Sequence, residues 1–249
     1  MAQDNVTILS TRPLEAALIR QAQAAGIRIE EKSFIETVPI RTTEVLQEVA
    51  QILLQRCTVV FTSMNAVEAV ASDLQGHRPD WRIYCLGSAT RQRVATRLGE
   101  GLIAGVASSA AELGRRIAQD GVDEELVFFC GNRRREELPA LLREQGIEVT
   151  EIVVYETLDL PQRVETDYQG ILFFSPSAVE SFFSDNRVNA QTILFAIGNT
   201  TATAIRRFCD NPVVVSELPG KDQLVARMIA YFAPAAGNNK NTRGAQDPT

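Results

Sequence analysis

VVFTSMNAVEAV (Val59–Val70) returns 112 residues later as ILFFSPSAVESFF (Ile171–Phe183), with Ser63 and Ser175 in register. In each copy a short run of β-branched or aromatic residues ends in hydroxyl residues, and an amphipathic stretch follows. In the first copy Val67, Val70 and Ala71 recur at helical spacing. The apolar run is continuous rather than alternating, as in a parallel strand buried on both faces. A hydroxyl residue at the junction is an ordinary helix N-cap. Each stretch therefore predicts a strand entering a helix, and its repetition predicts an α/β fold: parallel sheets flanked by helices on both faces.

Working outward, the same spacing recurs. IYCLGSATRQRV contains Gly87 and Thr90, and LFAIGNTTATAI contains Gly198 and Thr201, each 111 residues later. Leu113 in SSAAELGRRIA and Leu224 in GKDQLVARMIA are again 111 apart. The early stretch AGIRIEEKSFIET is echoed by QGIEVTEIVVYET at an offset of 120, which aligns Gly26 with Gly146 and Thr37 with Thr157. The order of these copies predicts two similar lobes. Residues 1–35 join 160–249 in a discontinuous lobe, and 38–151 form a second lobe inserted into it. The crossings, 33–40 and 152–160, are rich in β-formers and are expected to pair as a two-stranded antiparallel ladder that acts as a hinge. From about Pro234 the chain turns to Ala, Gly, Asn, Pro and charged residues, and a disordered tail is expected there.

Five strand-to-helix junctions stand out, at Thr11, Ser63, Ser88, Ser175 and Asn199. Each is explained as a helix cap. Together, at the carboxyl edge of an open parallel sheet, they also offer hydroxyls and free backbone N–H groups to an anionic ligand.

The rest of the composition narrows the function. A net charge of −6 leaves no basic excess for nucleic acid or an anionic membrane surface. No apolar run is long enough to span a bilayer, and the N-terminus lacks the basic start and apolar core of a signal peptide; a cytoplasmic location is expected. Cys57, Cys85, Cys130 and Cys209 are scattered, and His77 is the only histidine, set in the polar stretch Gly76–Asp80. No metal site is expected from such spacing. Neither GxGxxG nor GxxxxGK[ST] occurs, which argues against a nucleotide-dependent enzyme.

The chain resembles the uroporphyrinogen-III synthase family over about residues 6–232. The pieces that carry the resemblance stand in one order: ILSTRP, VVFTSMNAVEA, YCLGSAT, FFCGNRRREELPALLREQG, VVYET, FFSPSAVESF, AIGNTTATAI and a last Leu-containing helix. The resemblance implies two α/β lobes joined by a β-ladder and a carbon–oxygen lyase without a cofactor. The implied substrate is hydroxymethylbilane, a linear tetrapyrrole rich in carboxylates. Hydroxide leaves, ring D attacks through its substituted carbon to give a spiro intermediate, and the ring closes as the type III isomer. The product would feed haem, sirohaem or cobalamin synthesis. The resemblance also allows transient contact with the preceding enzyme of the pathway. A monomer is expected.

Because the substrate closes unaided to the type I isomer, holding ring D would be the enzyme's main task. Tyr155, in VVYET, is the implied catalytic residue: its phenol would donate a hydrogen bond to the departing hydroxyl from the cleft between lobes. Tyr84 and Tyr168 compete for that role, although Tyr84 lies in a strand-like run and reads as core. Substrate binding would fall to Thr11, Arg12, Thr62, Ser63, Ser88, Ala89, Thr90, Asn132 and Arg133 in the earlier part of the chain. Ser175, Ser177, Asn199, Thr200 and Thr201 would serve in the later part. Of the run Arg133–Arg135, at least one residue is expected to be a solvated helix-start cation paired with Glu136 or Glu137. Lys221 is a further cationic candidate. The alternative is a non-catalytic, two-lobed ligand-binding module of the same fold.

Overall fold

The computed structural model describes residues 6–232 except 75, 123 and 219; the tail expected from about Pro234 lies outside the described residues. The strands begin with β1 (Val6–Ser10), β2 (Ile27–Glu31), β3 (Ile35–Pro39) and β4 (Cys57–Phe61). They continue with β5 (Trp81–Leu86), β6 (Ile103–Ala107), β7 (Leu126–Gly131) and β8 (Thr150–Asp159). The last three are β9 (Gly170–Phe173), β10 (Ile193–Ala196) and β11 (Val213–Val215). The helices are α1 (Ala16–Ala24), α2 (Thr43–Leu53), α3 (Met64–Ala71), α4 (Ser88–Val94) and α5 (Ala110–Asp120). After them come α6 (Glu137–Glu144), α7 (Pro176–Asp185), α8 (Asn199–Ile205) and α9 (Lys221–Phe232).

The chain divides into two compact units, one of residues 36–158 and one that joins residues up to Ile35 with those from Asp159. The contiguous unit holds a six-stranded sheet in the order β3-β8-β7-β4-β5-β6. From β8 to β6 every pairing is parallel. β3 lies on the edge beside β8. Ile40 N–H donates to the Val154 carbonyl at 3.0 Å and Leu160 N–H to the Phe34 carbonyl at 2.8 Å, so these two segments run antiparallel. The discontinuous unit holds a parallel sheet in the order β11-β10-β9-β1-β2.

Apart from the edge strand β3, the two sheets correspond strand for strand. β4, β5 and β6 match β9, β10 and β11, while β7 and β8 match β1 and β2. Side-chain alternation explains why the strand cores read as unbroken apolar runs. In β4, Val59 and Phe61 pack with Val49 and Ile52 of α2 and Val67 and Val70 of α3. Val60 faces the other way, onto Leu113 and Ile117 of α5 and Leu138 and Leu142 of α6. In β9, Ile171 and Phe173 pack with Val179 and Phe182 of α7, and Leu172 packs with Leu224 and Met228 of α9. Both faces of the sheets are covered at the inner strands β4 and β9, which are buried along their whole length. The carboxyl edges are left for the turns. Among the described residues no helix is long and apolar enough to cross a membrane.

Candidate functional site

Parallel pairing brings the predicted turn residues of the contiguous unit to one sheet edge. Thr62 and Ser63 follow β4, Ser88, Ala89 and Thr90 open α4 after β5, and Asn132 and Arg133 follow β7. Ser88 and Ala89 are exposed, while Thr90 is buried. Ser63 caps α3, its Oγ accepting from Asn65 N–H at 3.1 Å. Asn132 is fastened to β8: its N–H donates to the Tyr155 carbonyl at 3.2 Å, and its Oδ1 accepts from Thr157 N–H at 2.9 Å. Ser108 and Ser109, after β6, belong to the same edge and were missed in the sequence. They form a cap in which Glu112 N–H donates to Ser109 Oγ at 3.2 Å and the Glu112 carboxylate accepts from Ser108 N–H at 2.9 Å. Those Ser108 hydrogen bonds hold the Glu112 carboxyl below its usual range.

Tyr155 sits half-buried in β8, packed against the α2–α3 side of the core. Burial raises its phenol above the ordinary range, while the nearby Ser63 side chain pulls it back. The group is therefore a protonated donor across the neutral range. Its rivals lie elsewhere. Tyr84 is fully buried and donates to Asp120 Oδ2 at 2.8 Å; burial first, then Asp120, raises it. Tyr168 precedes β9, at the opposite edge of the other sheet, and donates to Glu30 Oε2 at 2.7 Å. Burial, with help from Glu30, pushes it up to about 12.

In the discontinuous unit the carboxyl edge carries Thr11 and Arg12 after β1, Ser175 and Ser177 around the start of α7, and Asn199, Thr200 and Thr201 in the first turn of α8. Ser175 Oγ accepts from Ala178 N–H at 3.2 Å as the α7 cap. Thr11 is buried, and both its N–H and its hydroxyl donate to the Leu172 carbonyl, at 3.1 and 2.8 Å. Its proton thus ties β1 to β9 and is not offered to a ligand. Asn199 and Thr200 are exposed and Thr201 is buried. The guanidinium of Arg12 lies over the Phe174 ring, 5.8 Å from its centroid. Although the residue as a whole is exposed, desolvation lowers its pKa against the pull of Glu15. We attribute that lowering to the aromatic face, which removes water from one side of the charge.

The remaining cations divide as the sequence foretold for part of the run. Arg134 pairs with Glu151, and with Glu136 at 3.0 Å; Arg143 joins both carboxylates. Arg134 thus closes a surface network at the start of α6. Lys221 Nζ lies 2.9 Å from Glu15 Oε1. Two cavities among the described residues lie away from the carboxyl edges. One of about 290 Å³ opens beside Gly114, Arg115 and Leu141 of α5 and α6, and another of about 230 Å³ lies by Tyr168, Gln169 and Phe232. Neither is lined by the turn residues of the carboxyl edges. Among the described residues no group of three or more His, Cys, Asp and Glu side chains is arranged to hold a metal.

Gly131, at the end of β7, is the most informative residue that sequence reading passed over. A methyl group there would lie 2.3 Å from Cζ of Tyr155. The signal was a glycine closing an otherwise apolar strand.

The chain is matched over residues 16–226 by a family model described as uroporphyrinogen-III synthase HemD. A curated relative, the porphyrin biosynthesis protein HemD of Ruminiclostridium josui, is 24% identical over 241 residues, which cover 89% of this chain and 48% of that protein. The chain thus spans about half the length of that relative. Among solved structures, a mutant uroporphyrinogen III synthase from Thermus thermophilus aligns with a TM-score of 0.64 at 16% identity, over 91% of this chain and 97% of that one. The uroporphyrinogen-III synthetase of Helicobacter pylori aligns with a TM-score of 0.61, also at 16% identity, over 91% and 99%. At such identity the likeness is one of fold.

Proposed function

Since the chain belongs to the uroporphyrinogen-III synthase family, we propose that it converts hydroxymethylbilane to uroporphyrinogen III. The observation that carries this reading is the Tyr155 phenol. It is half-buried, protonated across the neutral range as a phenol is, and set near Ser63 at a sheet edge lined with hydroxyls and N–H groups. Tyr155 donates a hydrogen bond to the terminal hydroxyl of the substrate and eases its departure as hydroxide. The electron-rich pyrrole supplies the push, and the resulting cation is attacked by ring D through its substituted carbon. The spiro intermediate fragments and recombines, and the ring closes with ring D inverted and with loss of the proton that, together with the departed hydroxide, makes up one water.

Binding rests on the turns. Thr62, Ser63, Ser88, Ala89 and Thr90 in one unit, and Ser175, Ser177, Asn199, Thr200 and Thr201 in the other, supply hydroxyl or N–H donors for the substrate's carboxylates. Arg12 and Arg133 are the cationic partners. Thr11 holds the β1 turn in place through its bonds to Leu172. The product enters tetrapyrrole synthesis, and contact with the preceding enzyme would pass on an unstable substrate.

The test is turnover of hydroxymethylbilane by wild type and by Tyr155→Phe. Losing one oxygen from a half-buried position should leave the fold intact. Turnover is expected to fall by about 10²-fold or more, the scale of a positioned general acid. Product affinity should change far less, and the residual product should remain mainly type III. Unchanged turnover would remove the phenol from the mechanism. Absence of any enzymatic turnover in the wild type would leave a ligand-binding module.

A further inference from the structure

β8 and β4 are not neighbours. β7 runs between them, so they stand two strand spacings apart, roughly 9–10 Å. The Tyr155 side chain on β8 nevertheless reaches across toward β4, where Ser63 is near enough to act on its phenol. It does so by crossing β7 at Gly131. A methyl group built there would lie 2.3 Å from Cζ, 2.5 Å from Cε2 and 2.7 Å from the hydroxyl of Tyr155. These distances are shorter than any real side chain could tolerate, and the obstruction would be the rigid ring itself. Gly131 is not among the glycines with positive φ, so the demand for glycine is one of space.

The strand pairing is adjusted at the same place. Cys130 pairs with Val153 but Gly131 pairs with Tyr155, so the ladder skips Val154. A one-residue slip changes which side chain stands beside the glycine, and irregularities of this kind re-aim side chains. Asn132 fastens the slipped segment through two hydrogen bonds, its N–H to the Tyr155 carbonyl at 3.2 Å and Thr157 N–H to its Oδ1 at 2.9 Å.

We propose that Gly131 and Asn132 are positioning residues that seat the Tyr155 phenol: Gly131 leaves the ring a path across β7, and Asn132 locks the strand that carries it. For its effect on turnover the inference rests on the role given to Tyr155 above. It alters the expectation for Asn132, whose side-chain carbonyl is engaged with Thr157 rather than held ready for substrate.

Two sets of variants test it. Asn132→Ala removes the acceptor for Thr157 N–H, and Asn132→Asp keeps one. The alanine variant should lose kcat by about tenfold or more with KM nearly unchanged, and the aspartate variant should recover most of the loss, as a purely geometric role requires. An aspartate variant worse than alanine, with KM raised, would mean that the Asn132 amide meets a substrate carboxylate and would overturn the seat. So would an alanine variant as active as wild type.

In the second set, Gly131→Ala is placed in the wild-type and Tyr155→Ala backgrounds. With the tyrosine present it should cost about 10²-fold in turnover, the scale of a displaced reacting group, and lower the melting temperature. With the ring gone, the same change should leave the melting temperature where Tyr155→Ala alone puts it. Equal damage in both backgrounds would overturn the proposal. If the single variant fails to fold, a folded double variant supports the seat and an unfolded one contradicts it. Should Tyr155→Phe prove fully active, the phenol's chemical role fails, but the melting-temperature coupling between Gly131 and Tyr155 still decides whether the seat exists.

Discussion

Among single side chains, burial acts on phenols and thiols in the same direction. Cys57 is pushed up to about 12, first by burial and then by Glu125, Glu124 and Asp80. Burial alone takes Cys85 to about 12 and is the main cause that takes Cys130 to about 11. Tyr84, Tyr155 and Tyr168 are raised as well, each chiefly by burial. The folded protein therefore holds these protons more tightly than the unfolded chain does. Their contribution to stability is complete below the ordinary thiol and phenol range and is lost as pH climbs through it. Urea unfolding midpoints should be flat just above neutrality and fall steadily from about pH 9 to about pH 12; a midpoint that rises over that window would contradict the burial of these groups. At this scale the sequence was informative about residue type and place. VVYET marked Tyr155, and the junction hydroxyls marked the sheet edge. It was silent about partners. That Thr11 bonds Leu172, and Asn132 bonds Thr157, depends on acceptors from distant strands that spacing along one chain does not reveal.

Among the elements, strands and helix starts were legible because period and caps are local properties. Ser63 and Ser175 cap α3 and α7 as the hydroxyl junctions implied. The departures are local too, but leave no mark in composition. They are the skip of Val154 beside Gly131 and the π-helical turn Ala95–Gly99 that continues α4. The repeated Gly-x-x-Thr turns illustrate the limit. Gly87 has φ +82, a left-handed conformation that favours glycine, whereas its partner Gly198 has φ −175, which any residue adopts. Neither has an atom within 4 Å of where a side-chain carbon would stand, so backbone conformation alone separates them. Gly87→Ala should lower the melting temperature by the equivalent of about 1 kcal/mol, and Gly198→Ala should leave it nearly unchanged. Equal losses at the two positions would show that the turns share one backbone conformation after all.

For the whole molecule, the offsets of 111–112 and 120 residues anticipated two similar lobes, and β7 and β8 stand in one sheet where β1 and β2 stand in the other. The offsets differ because the stretch from Gly26 to Ser63, which contains β3 and α2, is eight residues longer (37 against 29) than the stretch from Gly146 to Ser175. One unit is continuous, residues 36–158, with its own core on both sheet faces. Expressed alone, that segment should give a cooperative melt. A segment beginning at residue 159 should not, because β1 lies between β9 and β2 and both β1 and β2 would be missing. A non-cooperative profile for 36–158 would mean that neither unit is self-sufficient. The chain spans about half the length of its curated relative, so the most direct question is whether these two units suffice for the reaction. The deciding measurement is chromatography of the oxidised porphyrins formed when the purified chain meets hydroxymethylbilane, with spontaneous closure to type I as the internal clock. The expected result is type III as the main product at a rate well above that clock; type I alone, at the spontaneous rate, would contradict it.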